Sequence, residues 1–411
     1  MGPLPTLLSS EVAADPESFY RRLRDSAPVH FDESIESYLV ARYDDIAACY
    51  RNPLLTTRCY EWQFEPVFGP TLVQMDGKQH ARRRSMIMKY LRGPGLEKWA
   101  PAIRYHTERL LGPIVEDATN RLTKEWVAGA EIDLSASFSM YLPTYVILDI
   151  LGLPEHDQDL LYGWHRSIMA YLGNLSQDPE VAERGEQTRI ESRAFLHDLV
   201  TDRRRSPRDD MISALCEAQI DGDRMTDEDI VSFLSLLMVA GAETTDKTII
   251  ALFGHLLADR RQFELVRDDR SWLPAAIAET LRYTPPTQMS ARIAEGDTRI
   301  GDTEIPSGSM IMMLMASGNR DERRFRDPDV FDVTREDLLP DRAFKSSATH
   351  LAFGGGRHFC AGASVAELEL TMAVSTLLDT FPDMRLVPGF VPEYAGIKHR
   401  APTSLRVLVG G

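Results

Sequence analysis

Apolar positions recur at helical spacing along most of the chain from about Lys78 to His255, while both ends mix short alternating runs with turns. Near the N-terminus, Asp15-Pro16-Glu17 opens a short helix from Ser18 to about Asp25. The run Ser37-Tyr38-Leu39-Val40-Ala41-Arg42-Tyr43 alternates as a strand does, and Asp44-Asp45 begins another helix. Residues from about Pro53 to Val73 show no period, are rich in Thr, aromatics and Pro, and read as irregular. Ser135 to Leu151, Asp157 to Leu172 and Pro179 to Arg205 each read as an amphipathic or buried helix. The longest helical pattern runs from about Thr226 to Leu257, with Thr226 as N-cap and Asp227, Glu228 and Asp229 in the first turn, where the helix dipole favours anions. At about 1.5 Å per residue it would be roughly 48 Å long and would have to cross the whole molecule. A further helix spans about Trp272 to Tyr283. Beyond about Thr287 strands, turns and loops take over, interrupted by one helix from Ala361 to about Leu377. The predicted class is mainly α with minor β.

The chain has 411 residues, with 46 Lys and Arg against 62 Asp and Glu, a net charge of −16. So acidic a chain is a poor partner for nucleic acid or an anionic membrane. The residues before Glu11 carry no basic cluster and no long apolar run, so they do not read as a signal peptide. No stretch of about 18 apolar residues is available to span a bilayer. These features predict a soluble, cytoplasmic protein. No Gly/Ser or Pro-rich linker and no repeat divides it, which predicts one domain over residues 1–411. A monomer is the expected state. Cys49, Cys59, Cys216 and Cys360 show neither CxxC nor zinc spacing; Cys49 and Cys59 could pair, but a cytosolic setting favours free thiols.

The most specific chemistry lies in Phe353-Gly354-Gly355-Gly356-Arg357-His358-Phe359-Cys360-Ala361-Gly362. It places one cysteine in a glycine-rich turn, between two phenylalanines, at the mouth of the predicted helix. Backbone N–H groups in such a loop and a following helix N-terminus stabilise a thiolate. Glycines let a flat ligand lie against the backbone. A lone cysteine in a turn is most often a buried structural thiol; the spacing Phe-x-x-Gly-x-His-x-Cys-x-Gly is what favours a ligand.

Ala240-Gly241-Ala242-Glu243-Thr244-Thr245 interrupts the long helical pattern with small residues, an acid and two hydroxyls. Glycine inside a helix costs about 1 kcal/mol relative to alanine, so it needs a reason. Such a helix can approach a flat cofactor and then present an acid–alcohol pair able to relay protons. The plainer alternative is a solvated acid beside two threonines bonded back to i−4 carbonyls. Glu279 and Arg282, at i and i+3, share a helix face, as do His80 and Arg84 at i and i+4. Alone, the first is a surface ion pair worth about 0–1 kcal/mol, and the second a basic solvated face.

Taken in order along nearly the whole chain, these stretches resemble the cytochrome P-450 superfamily of haem-thiolate monooxygenases, in its soluble bacterial form. The resemblance implies the fold of that family, a long central helix over the haem and a cysteine-ligand loop beneath it. It implies haem b, with Cys360 as the iron ligand and Phe353, Gly354, Gly356, His358 and Gly362 in the loop around it. An axial thiolate pushes electron density onto the iron and favours O–O cleavage. By the same match Glu243 belongs to a proton relay, Thr244 holds the dioxygen co-substrate, and Ala240 and Gly241 form the groove over the iron. The Arg/Pro replacement that marks the peroxide-using branch is absent, which favours dioxygen and electrons. Glu279 and Arg282 become a buried structural network completed by Arg335, from the segment Phe331 to Arg335. Asn319-Arg320-Asp321 and Asp327-Pro328-Asp329 follow in the family's order. Buried propionates require cationic or hydrogen-bonding partners, and His80, Arg84, Arg292 and His358 match them. Ile87 to Gly95 departs from the aromatic-containing segment common in the family there.

The resemblance assigns the substrate pocket to about Thr57–Val73, Tyr162–Arg184, Leu236–Val239, Pro286–Ser290 and Ala401–Ser404. These segments are apolar with few charges, which predicts a moderately large apolar or aromatic small molecule. Tyr60, Trp62, Phe64 and Phe68 are either its walls or plain core, as are Met238, Met289, Met312 and Met313. No flavin or iron–sulfur motif is present, so ferredoxin and ferredoxin reductase are the implied electron donors. Their docking patch would draw on Arg82, Arg83, Arg342, Lys345 and Arg357. The expected function is hydroxylation or epoxidation in the tailoring of a bacterial natural product. Oxidative C–C or C–O coupling by the same haem is the alternative. A non-catalytic haem sensor is a further one, disfavoured because a sensor has no need of the Glu243–Thr244 pair.

Overall fold

Helices dominate the structure, a computed structural model that describes residues 4–125, 130–174, 178–220 and 222–410. The chain forms two compact units. One consists of Met1–Thr56, Glu108–Ser139 and Thr244–Gly411, the other of Thr57–Thr107 and Met140–Glu243. Among the described residues, no helix is long and apolar enough to cross a membrane.

The first unit is built on a mixed five-stranded sheet in the order Val29–Asp32, Ser37–Val40, Met310–Met313, Ser290–Ala294, Leu55–Thr56. Met310–Met313 runs parallel to Ser37–Val40 and antiparallel to Ser290–Ala294, which sets Arg292 opposite Ile311. Successive strand residues face opposite sides. Val40, Ile311 and Met313 therefore join one core with Ile46, Tyr50 and Leu55, whereas Leu39 and Met312 join another with Phe19, Tyr20 and Leu23. Met289 and Met313 are buried in these cores, and Met312 packs half-buried against the second. The alternating run from Ser37 stops at Val40, and Tyr43 opens the helix Tyr43–Arg51. Leu273–Tyr283 and Ala363–Thr380 supply the helices that carry the polar network and follow the cysteine loop.

In the second unit, Pro179–Arg205 packs along Gln158–Leu172 and Asp227–Ala240. Gly185 permits the first contact, because a Cβ there would lie 2.5 Å from the Tyr171 ring. Asp227–Ala240 starts with a reciprocal capping box: the Asp229 N–H donates to Thr226 Oγ1 at 3.1 Å, and the Thr226 N–H to Asp229 Oδ2 at 2.8 Å.

The structure corrects three expectations. The span read as irregular holds a helix, Glu61–Phe68, despite Pro66 inside it. Burial of Val67 and Phe68 against Ile168 and Val239 overrides the poor local propensity. The pattern from Ser135 to Leu151 is two pieces, a π-helical turn Ser135–Ser139 and a helix Leu142–Ile150 with Pro143 in its first turn, where proline is tolerated. The long pattern from Thr226 is also two helices, Asp227–Ala240 and Ala242–Ala258. They part at Gly241, whose N–H reaches the Leu237 carbonyl only at 3.4 Å.

Candidate active site

The loop before Ala363–Thr380 is tied by its own backbone. The Gly354 N–H donates to the Leu351 carbonyl at 2.8 Å, and the Cys360 N–H to the Phe353 carbonyl at 2.9 Å. Gly354 and Gly356 adopt φ of +69° and +62°, open to glycine at little cost. A Cβ at Gly356 would lie 2.2 Å from the Tyr50 carbonyl oxygen, and one at Gly355 2.9 Å from the Tyr50 ring. These two glycines thus serve packing of the loop onto Tyr50. Phe353 meets Phe359 edge-on, centroids 6.1 Å apart, and leans on Phe344 at 5.3 Å. Cys360 is half-buried and not in a disulfide. Gly362 caps the helix, and a Cβ there would lie 3.9 Å from the Cys360 sulfur.

A buried polar network leads to this loop. Glu279 and Arg282 are fully buried and joined by two bonds of 2.7 Å, Arg282 Nε to Oε2 and Nη2 to Oε1. Arg335 Nε stands 3.2 Å from the same carboxylate, and the Asp332 N–H donates to it at 3.0 Å. Arg282 Nη1 also donates to the Asn319 carbonyl at 3.0 Å. The Asn319 side chain then accepts the Leu351 N–H at 2.7 Å. An unbroken chain of bonds thus runs from the ion pair to the residue whose carbonyl takes the Gly354 N–H. The sequence places Asn319 by motif order alone; in the structure its amide is the link.

Arg292, in the central sheet, is 6% exposed. It donates to the Ala291 carbonyl at 2.7 Å and lies 5.4 Å over the Tyr50 ring, with no carboxylate paired to it among the described residues. A buried guanidinium without an anion is costly, and a bound anionic group would relieve it. Tyr50 also shares a 2.9 Å hydrogen bond with Ser290. Tyr50 therefore contacts both the cysteine loop and Arg292. Nothing in the sequence distinguishes this tyrosine from any other on an amphipathic helix. His358 is half-buried in the turn Gly356–His358. Thr244 is half-buried, and its carbonyl accepts the Thr248 hydroxyl at 2.7 Å.

In the second unit, His80 is buried and Arg84 half-buried, one turn apart on Gly77–Met88. Ala240 is exposed although Val239 and Ala242 beside it are buried, and Glu243 is half-buried. A Cβ at Gly241 would meet Ile147 Cδ1 at 2.8 Å, so this glycine's missing side chain serves packing onto Leu142–Ile150. Three of the segments assigned to substrate converge here. Phe64, Val67 and Phe68, then Ile168, Met169, Tyr171 and Leu172, then Leu236 and Val239, form one apolar cluster. Tyr60 stacks on Phe64 at 5.1 Å, and Phe64 meets Phe68 edge-on at 5.7 Å; Trp62 points outward, 73% exposed.

Of the five candidate docking cations, Arg82, Arg342 and Lys345 are exposed, Arg82 lying 3.6 Å from Asp223. Arg83 is not available in the same way, since it pairs with Asp229 at 2.8 Å and its side chain is 15% exposed. Arg357 donates to the Leu55 carbonyl at 3.1 Å.

The sequence profile of the family described as Cytochrome P450 matches residues 30–384. Pulcherriminic acid synthase of Bacillus subtilis is 34% identical over 99% of this chain and 98% of its own. Cyclomarin C epoxidase CymV of Salinispora arenicola is 29% identical over 94% of each. Among solved structures, CYP109E1 of Bacillus megaterium in complex with corticosterone superposes with a TM-score of 0.83 at 28% identity, covering 98% of this chain and all of that one.

Proposed function

Because the chain belongs to the cytochrome P450 family, whose cofactor is haem b and whose co-substrate is dioxygen, we propose that it hydroxylates or epoxidises a moderately large apolar or aromatic small molecule in bacterial secondary metabolism. Relatives named for pulcherriminic acid synthesis and cyclomarin C epoxidation support that setting. The observation that carries the reading is the half-buried Cys360 thiol, in a glycine turn bonded through Leu351 and Asn319 to the buried Glu279–Arg282 pair.

The residues present fit the cofactor. A soft, unbridged thiol suits iron, the buried guanidinium of Arg292, with no carboxylate partner among the described residues, suits a propionate, and the exposed Ala240 leaves room for a flat ring. Haem, when bound, supplies the one-electron and dioxygen chemistry. Cys360 holds its iron, with Phe353, Gly354, Gly356, His358 and Gly362 as the loop around the sulfur. Arg292, His358, His80 and Arg84 neutralise the propionates. Ala240 and Gly241 line the groove, Thr244 binds dioxygen through its hydroxyl, and Glu243 passes protons to it. The apolar cluster around Phe68 and Val239 holds the substrate and excludes water. Ferredoxin and its reductase deliver electrons in the cytoplasm to a monomer, docking on Arg342, Lys345 and Arg357.

Purified holoprotein screened with apolar natural products tests this, read by the haem's optical spin-state shift. Compounds that shift the spectrum and gain one atom of labelled dioxygen are the expected result. Products without label would mean oxidative coupling, and no spectral response from any apolar ligand would overturn the pocket.

A further inference from the structure

The apolar cluster of the second unit is closed on one side by Glu61–Phe68, and the end of that helix is held by charge. Arg193, on Pro179–Arg205, donates to the Phe68 carbonyl at 2.6 Å. The same guanidinium pairs with Glu228, in the first turn of Asp227–Ala240. His197 Nε2 stands 3.1 Å from the other Glu228 oxygen. The last carbonyls of a helix lack partners inside it, and a cation there is favourable.

Gly69 shows how closely the parts fit. Its φ of +75° ends the helix in a conformation that disfavours side chains. A Cβ at Gly69 would lie 2.4 Å from Ser232 Oγ, 3.2 Å from Glu228 Oε1 and 3.4 Å from Arg193 Nη1. The Gly69 carbonyl accepts from Gln74 Nε2 at 3.0 Å, and Gln74 Oε1 takes the Thr71 hydroxyl at 2.6 Å. The aromatic helix is thus seated directly on the ion pair.

We propose that Arg193 and Glu228 are positioning residues: their bridge to the Phe68 carbonyl sets how closely Glu61–Phe68 closes on the apolar cluster, and so the size of molecule the cluster admits. The inference rests on the reading of that cluster as the substrate wall. Arg193 offers a planar fork that reaches both acceptors at once, which lysine cannot reproduce. Glu228 holds the fork in register, and the Phe64 and Phe68 rings follow the backbone it anchors.

The test uses two azoles that ligate haem iron and differ in bulk, imidazole and 4-phenylimidazole, mixed with the holoprotein while the Soret band is followed. Losing the bridge in Arg193→Met or Glu228→Gln should speed 4-phenylimidazole binding about tenfold and leave imidazole within about twofold, with Arg193→Lys between. Amide hydrogen exchange over residues 61–74, which needs no haem, should rise in the same order. A bridge that only stabilised the fold would lower the melting temperature and leave the ratio of the two azole rates unchanged, and that unchanged ratio overturns the proposal. If neither azole moves the Soret band, the haem assignment fails by itself; exchange then decides the clamp, and unaltered protection over residues 61–74 overturns it.

Discussion

The surroundings of Glu279 and the surroundings of Phe68 are held together by different physics. Around Glu279 the contacts are charged or backbone polar, buried and mutually satisfied, and they pass in sequence to the cysteine loop. Around Phe68 the contacts are apolar, and the strongest polar tie goes to a backbone carbonyl. Losing one partner from the first region strands a charge in a dry interior. Losing one ring from the second removes area that neighbours can partly refill. The first region suits chemistry that must keep one geometry. The second suits a wall that can change with the molecule it admits.

The largest effect should come from breaking the first region. Glu279→Ala leaves the Arg282 guanidinium buried without its carboxylate and Arg335 with Asp337 alone, and should lower stability by about 3–5 kcal/mol. Urea unfolding of the variant should show this loss together with loss of haem uptake. Phe68→Ala should cost about 3 kcal/mol, at the low end for a buried ring because the site can relax.

Proton dependence separates the two regions further. Glu369, 3% exposed on Ala363–Thr380, has one oxygen without a hydrogen bond, and burial pushes its carboxyl up to about 8. The folded chain therefore keeps a proton that the unfolded chain releases. Stability is complete below the ordinary value of 4.5 and is lost as pH rises from there to about 8. Glu369→Gln should stabilise by roughly 2–4 kcal/mol at pH 8 and by almost nothing at pH 4. The Phe68→Ala loss should be the same at both pH values. His255 acts with the opposite sign. Burial, then Arg320 and Arg282, hold it near 3, so stability falls as pH drops from 6.5 toward that value. Melting curves of the variants across pH would expose any departure from this pattern.

The same contrast explains what could be read from the chain alone. Cys360, Glu279 and Arg282 sit in motifs because their chemistry fixes residue type and spacing over a few positions. Thr226 and Pro179 were legible because helix starts obey local rules. Tyr50 was not legible, since its meaning depends on Gly356 and Arg292, far away in sequence. The helix Glu61–Phe68 was missed for a similar reason. Proline and aromatics argue against it locally, and its support arrives from Ile168, Val239 and Arg193. Gly241 shows the converse: the residue was noticed, but its partner Ile147 and the break in the long helix were not.

Smaller effects should appear in turnover. Thr244→Ala should reduce product formed per electron pair about tenfold with little change in melting temperature, because Thr248 bonds the backbone carbonyl of residue 244 and keeps that bond. Product yield against cofactor consumption measures it, and unchanged coupling would remove Thr244 from the relay. Arg342→Glu with Lys345→Glu should slow reduction by ferredoxin a few-fold at low salt and converge with the parent at high salt. Equal rates at low salt would move the docking surface elsewhere.

Every role assigned to the haem site depends on a bond between the Cys360 sulfur and haem iron, and the absorption spectrum of the reduced, carbon monoxide-treated holoprotein reports that bond. A long-wavelength Soret band typical of thiolate ligation, lost in Cys360→His, is the predicted result. A band typical of imidazole ligation in the parent protein, or failure to take up haem at all, would contradict it.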